Sequence, residues 1–317
     1  MTSHHDDSNQ ETRPSRPIGK TGPLRDPQQT LPKVDWEISS ERRPLSFPRP
    51  DTVNLGLVQF PAGDDKQTNI QRALGLAWQA ADAGAEIIVF PEMFMLPWLF
   101  AEPEAHYQNL ADSADGGVWE PFKMLAHDKR VVLVCSFFER GMEGRFYNSA
   151  LVIDTDGTIV GKYRKHHLPP DNERQHWMPD SSPFSAFPTR KGRIGIYICW
   201  DNFFPEGARA LALDHADIVI GPSAATELDA AYKWKIAFQH NAMVNGIPWV
   251  RINRIEPPCY PASFVVDAEG QITHETNSAE EGFSLATVDL TLTDRVRQQW
   301  TFMADRRPEM YRIITER

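Results

Sequence analysis

The chain is short of cysteine, of positive charge and of long apolar runs, and each shortage removes a class of function. Its three cysteines, Cys135, Cys199 and Cys259, are widely spaced and form no C-x-x-C pair. An odd, scattered set of thiols argues against a disulfide framework or a zinc site and for a reducing compartment, the cytoplasm. Lys and Arg number 33 against 43 Asp and Glu, a net charge of −10, which leaves no electrostatic footprint for nucleic acid or an anionic membrane. No apolar stretch approaches the ~20 residues of a membrane-spanning helix. The opening MTSHHDDSNQ lacks a basic segment followed by an apolar one, so no secretory leader is expected. There is no G-x-S-x-G, no phosphate-binding loop and no G-x-G-x-x-G.

What is present begins with a change of composition. Eight of the 25 prolines fall within residues 1–50, among polar residues, which predicts a disordered or draped arm over 1–50 and a single folded domain over 51–317. His4, His5, Asp6 and Asp7 in that arm read as a solvated terminus, since a metal site needs further ligands and a supporting shell. From Thr52 the pattern alternates between strands and helices. VNLGLVQF (53–60) has strand periodicity, 66–83 has helical periodicity, and AEIIVFPE (85–92) is a second apolar strand. A helix near 118–127, a strand at 131–138 and an Asp-Gly hairpin joining 148–154 to 158–163 follow. Further strands are expected at 193–199, 217–224, 248–253, 263–272 (which contains an Ala268-Glu269-Gly270 turn) and 283–290, with helices after Pro205 and over 232–245. This is an α/β chain with mixed sheets.

Four reactive side chains, Glu92, Glu139, Lys165 and Cys199, each follow directly on a predicted strand. Loops at the carboxyl ends of strands are where α/β folds collect their sites. Cys199 stands at a strand-to-helix corner, with Pro205 and Glu206 suited to the first helical turn. Taken singly, the Cys could be core packing and the charges surface groups. Taken together they are complementary for acyl transfer: a thiol to attack, a carboxylate to take its proton, an ammonium to hold an oxyanion. His166 and His167 offer a papain-like pairing, but no papain-type signature surrounds Cys199.

These residues stand in motifs that resemble the nitrilase superfamily of carbon–nitrogen hydrolases. The motifs are FPE at 90–92, SFFE at 136–139, YRKHHLP at 163–169 and ICWDNFFPEGAR at 198–209, with WTFMADRRPEMY at 300–311 similar to the N-carbamoyl amine hydrolase branch, such as carbamoylputrescine amidases. The resemblance implies a four-layer αββα sandwich, no metal or organic cofactor, and pairing of subunits into a homodimer or higher homo-oligomer through helices. It implies Cys199 as nucleophile, Glu92 as proton acceptor and Lys165 as oxyanion stabiliser. Glu139 matches the family's second glutamate, which orients the lysine and the substrate. Trp200, Asn202, Trp177 and His176 are the expected substrate contacts. The loop PPDNERQHWMPD departs from the family pattern, so substrate identity does not carry over. Asp201 with FPE-x-x-R favours a small amide or N-carbamoyl amine substrate. Asn202 is similar to the C-W-E-N of true nitrilases, so a nitrile is the second reading. The third is a catalytically silent binding protein on the same fold.

Overall fold

The computed structural model describes residues 48–98, 108–170, 173–174, 177–226 and 230–316. The predicted arm therefore lies outside the described residues except at its end. There Arg49 pairs with Asp217 and with Asp294, so ordered contacts begin slightly before the predicted boundary.

Among the described residues, twelve strands form two six-stranded mixed sheets. The first contains β1 (Thr52–Gln59), β2 (Ile87–Val89), β3 (Val132–Arg140), β4 (Phe146–Ile153), β5 (Ile159–Arg164) and β12 (Gly282–Asp289), in the order β12-β1-β2-β3-β4-β5. The second contains β6 (Phe187–Thr189), β7 (Gly192–Ile196), β8 (Ile218–Ser223), β9 (Trp249–Asn253), β10 (Ser263–Val266) and β11 (Ile272–Thr276), in the order β11-β10-β9-β8-β7-β6. In each sheet three central strands are parallel and the outer pairings are antiparallel.

The sheets stack because their strands are apolar on both faces. Val53, Leu55 and Leu57 of β1, with Ile87, Val89, Val132 and Val134, meet Ile196, Ile220, Val250 and Ile252 of the other sheet in one buried core. The alternate residues Val58, Ile88, Leu133 and Cys135 face outward into a second core under α1 (Lys66–Asp82) and α2 (Glu120–Lys129). Side chains alternate between faces along a strand, so one run of Val, Ile and Leu supplies two layers. On the far side, α3 (Pro205–Leu213) and α4 (Ala231–Asn245) cover the second sheet, giving the four layers αββα. A helix α5 (Leu292–Gln299) and short turns end the chain, with α6 (Arg312–Thr315) last.

The turn expected at Ala268-Glu269-Gly270 divides the stretch 263–272 into β10 and the start of β11; the Asp267 side chain holds it, accepting from the Glu269 and Gln271 N–H groups. One element differs from the sequence reading: the Pro-rich stretch from Lys165 to Lys191, expected to be irregular throughout, contains the short β6, whose Pro188 sits on a sheet edge, where a missing N–H is tolerated.

Candidate active site

The corner after β7 is not a simple strand end. Ile198 is extended, and Cys199 then takes a left-handed backbone (φ 46°) at the start of a tight helical turn, Cys199–Phe203. A side chain pays for such a conformation with strain, which persists only when its surroundings hold it. Here Asp201 holds it. One carboxylate oxygen accepts from the Ile198 N–H at 3.1 Å and from the Tyr163 hydroxyl at 2.7 Å. The other accepts from the His167 N–H at 2.8 Å and lies 2.8 Å from His167 Nδ1. Tyr163 is on β5 and His167 two residues past Lys165, so one buried carboxylate ties the lysine segment of the first sheet to the cysteine corner of the second.

Lys165 follows β5 directly and is fully buried. Its Nζ lies 2.9 Å from Glu92 Oε1 and 2.8 Å from both oxygens of Glu173. Glu92 is also fully buried, in a turn clamped from below. Arg254 donates to the carbonyls of Glu92 (3.0 Å), Met93 (2.9 Å) and Leu96 (2.7 Å), and the Met93 N–H donates to Ser136 Oγ at 3.1 Å. Asn148 Nδ2 donates to Glu92 Oε1 at 2.6 Å, which leaves Oε2 buried without a hydrogen-bond partner among the described residues.

The electrostatics follow from two carboxylates sharing one ammonium. Burial pulls the Lys165 ammonium down, but the charges of Glu173 and Glu92 outweigh this and raise it well above its ordinary value. Burial first, and the Glu92 charge second, push the Cys199 thiol well up, with Lys165 acting in the opposite sense. Cys199 therefore rests as a thiol, beside the Lys165 ammonium held between Glu92 and Glu173.

Cys199 opens into a cavity of about 750 Å³ walled by Trp98, Trp200, Phe203 and Trp234, with Glu173 and Lys233 its charged lining residues. Among the described residues no group of three His, Cys, Asp or Glu side chains is arranged to hold a metal ion.

The structure thus brings Glu92, Lys165 and Cys199 together and places Trp200 in the cavity wall. It does not bring Glu139 to them. Glu139 accepts from Ser149 Oγ (2.5 Å), Lys162 Nζ (2.7 Å), and Arg164 Nε (2.8 Å) and Nη2 (2.7 Å). Adjacent strand residues point to opposite faces, so Lys162 and Arg164 share a face that Lys165, past the strand's end, leaves. The carboxylate that holds Lys165 is Glu173, which sequence reasoning missed. Its position in an irregular loop has no periodicity to read; the only signal was a loop too long for a plain connection.

Asn202 is also corrected. Its amide is turned into the core, donating to the carbonyls of Tyr197 (2.8 Å) and Cys199 (3.0 Å) and accepting from Trp249 Nε1 (2.7 Å), so it shapes the corner rather than lining the cavity. Trp177 packs against Phe138, ring centroids 5.5 Å apart, outside the cavity wall. His176 lies outside the described residues. His166 and His167 brace the loop, stacked on Phe184 (4.0 Å) and Phe204 (3.8 Å), and neither lines the cavity.

A family model described as carbon-nitrogen hydrolase matches residues 54–298. A citrullinase of Francisella tularensis is 32% identical over 283 residues, 84% of this chain and 99% of that protein. An N-carbamoylputrescine amidase of Arabidopsis thaliana is 32% identical over 284 residues, 83% of this chain and 95% of that protein. Among solved structures, a carbon–nitrogen hydrolase from Helicobacter pylori G27 is similar with a TM-score of 0.79 at 28% identity, covering 84% of this chain and 99% of that one.

Proposed function

We propose, for a chain that belongs to the carbon–nitrogen hydrolase family, that it hydrolyses the terminal C–N bond of a small N-carbamoyl amine or amide through a thioester on Cys199. The observation that carries this reading is the buried cluster in which Lys165 Nζ is held between Glu92 and Glu173 while Glu92 Oε2 has no partner. The free oxygen is the one available to take a proton.

Cys199 Sγ attacks the carbonyl carbon while its proton passes to Glu92 Oε2, so a thiol with a raised pKa needs no prior ionisation. The oxyanion is held by Lys165 and by the Trp200 backbone N–H. As the tetrahedral adduct collapses, Glu92 returns the proton to the departing nitrogen and ammonia leaves. Water then gives a proton to Glu92 and its oxygen attacks the thioester carbon; the C–S bond breaks and the sulfur regains the proton. For a ureido substrate this second step releases a carbamic acid, which separates into amine and carbon dioxide. Both named relatives act, by name, on compounds with a terminal ureido group, which supports this class over a simple amide. Glu173 is a positioning residue that keeps Lys165 charged and aimed.

We further infer a homodimer. Trp300, Phe302, Tyr311, Ile313 and Ile314 of the C-terminal segment are 40–60% exposed, more apolar surface than an isolated tail leaves in water. The three thiols are unbridged, which fits the reducing cytoplasm.

The test is ammonia release from a panel of N-carbamoyl amines, N-carbamoyl acids, amides and nitriles. Cys199→Ala abolishes turnover with the circular-dichroism spectrum unchanged, and Glu92→Gln lowers kcat by about 100-fold or more. Turnover confined to nitriles replaces the amide reading. Residual activity in Cys199→Ala overturns the nucleophile.

A further inference from the structure

Building on the hydrolase reading above, we propose that the cavity selects substrates whose end remote from the reacting carbon carries negative charge, a carboxylate above all, and that Lys233 at the head of α4 is the side chain that reads it.

Among the described residues the cavity's free charge is positive. Its described charged lining residues are Glu173 and Lys233. Glu173 is already committed, with both oxygens 2.8 Å from Lys165 Nζ, so it offers no free charge to a substrate ammonium. Lys233 has no ion pair among the described residues, whereas Lys235 of the same helix meets Glu275 at 2.6 Å. The remaining wall is apolar or aromatic apart from Cys199 and Thr226, so it provides contact area and little competing polarity.

The position of Lys233 sharpens the point. It lies in the first turn of α4, whose N-cap, Ala230, also lines the cavity, and that turn holds no acidic residue. A helix N-terminus carries partial positive charge and ordinarily favours acids there. A lysine placed against that preference adds to the positive potential instead of cancelling it.

A second, separate cation lies behind the wall. The Arg251 guanidinium is 1% exposed and sits 4.8 Å from the centroid of the cavity residue Trp234. Nη1 donates to the Ala262 carbonyl at 3.0 Å, and the Tyr260 hydroxyl is the polar side-chain group beside the rest of the guanidinium. Among the described residues no carboxylate pairs with it, and a buried cation without a counter-ion is costly to keep. Lys233, the helix terminus and Arg251 all bias one side of the cavity toward an anion. A substrate ending in an ammonium, as an N-carbamoyl diamine does, meets the same sign.

The test separates charge selection from catalysis. Cys199 is alkylated with iodoacetate, iodoacetamide or 2-bromoethylamine, each rate normalised to that of glutathione and mapped by peptide mass. In the native protein the normalised iodoacetate rate exceeds the 2-bromoethylamine rate by about tenfold, equivalent to about 1.4 kcal/mol. The ratio falls toward unity in Lys233→Met, inverts in Lys233→Glu, and shrinks as salt is raised. Lys233 is exposed, so both variants keep the fold. A ratio near or below one in the native protein, or one indifferent to Lys233→Glu, overturns the proposal. Turnover of N-carbamoyl-4-aminobutyrate, butylurea and N-carbamoylputrescine is then compared. An order of kcat/KM from anion to cation, carried by KM, supports it. Equal turnover of all three overturns it while leaving the hydrolase reading intact. Charge-ordered labelling with no turnover of any of them supports charge selection and overturns the ureido reading instead.

Discussion

Glu139 and Glu173 are both buried glutamates bonded to cations, and their partners separate their roles. Glu173 holds the lysine beside the thiol with both oxygens, and among the described residues its loss leaves Lys165 with Glu92 as its carboxylate. Glu173→Gln therefore lowers kcat by about 100-fold, the scale of a displaced oxyanion donor, with the melting temperature changed by only a few degrees. Steady-state kinetics with a thermal melt checks both. Glu139 instead closes a cluster with Ser149 of β4 and with Lys162 and Arg164 of β5, the strand that leads to Lys165. Burial alone would raise its carboxyl, but the bonds from Arg164, Lys162 and Ser149 win and hold it at about 2, below the ordinary 4.5. A carboxyl lowered in the folded state stabilises fully above the unfolded value and loses that contribution as pH falls toward the folded one. Glu139→Gln thus lowers the melting temperature at pH 7, and the gap to the native protein narrows between about pH 4.5 and pH 2. An equal gap at pH 7 and pH 3 would show that the charge is not what matters.

At the scale of elements, the site depends on how closely α3 approaches the corner that carries Cys199. Gly207, in the first turn of α3, has no room for a side chain: an added Cβ would stand 2.7 Å from the Phe184 ring and closer still to the Tyr197 hydroxyl. Two effects oppose each other in Gly207→Ala. Alanine is favoured over glycine in a helix by about 1 kcal/mol. Overpacking a filled core costs about 1–3 kcal/mol. Phe184 stacks on His166 and Tyr197 bonds the Phe204 carbonyl at 2.6 Å, so neither ring can retreat without moving the corner. The clash wins: the variant loses about 1–2 kcal/mol in urea unfolding and loses activity beyond the unfolded fraction, because Cys199 is displaced with α3.

At the scale of the whole molecule, the two sheets repeat one pattern. An antiparallel edge strand, three parallel strands and two antiparallel strands follow in the same order, β12-β1-β2-β3-β4-β5 and β6-β7-β8-β9-β10-β11. Glu92 and Lys165 come from the first sheet and Cys199 from the second, so the chemistry exists only where the sheets face each other. The exposed apolar tail leads to a prediction at this scale. Phe302→Asp combined with Ile313→Asp gives a monomer by light scattering, while the native chain runs as a dimer or larger.

Much of the fold was legible because its signals are local. Alternating Val, Ile and Leu marked the strands, Gly84 and Pro205 marked helix ends, and the Asp156–Gly157 turn marked a hairpin. Glu92, Lys165 and Cys199 stood out because each lies beside a regular element. Tertiary structure alone decided the rest. Glu173, Asp201 and Arg254 act on partners 8, 38 and 162 positions away, and no periodicity encodes such pairings. Glu139 and Asn202 sat in recognisable motifs, yet their side chains turn away from the cavity, because strand register and the left-handed Cys199 corner set their direction. The sequence by itself determined which elements form and which side chains could react. Only the stacking of two sheets determined which carboxylate reaches the lysine, since that depends on how distant backbones meet.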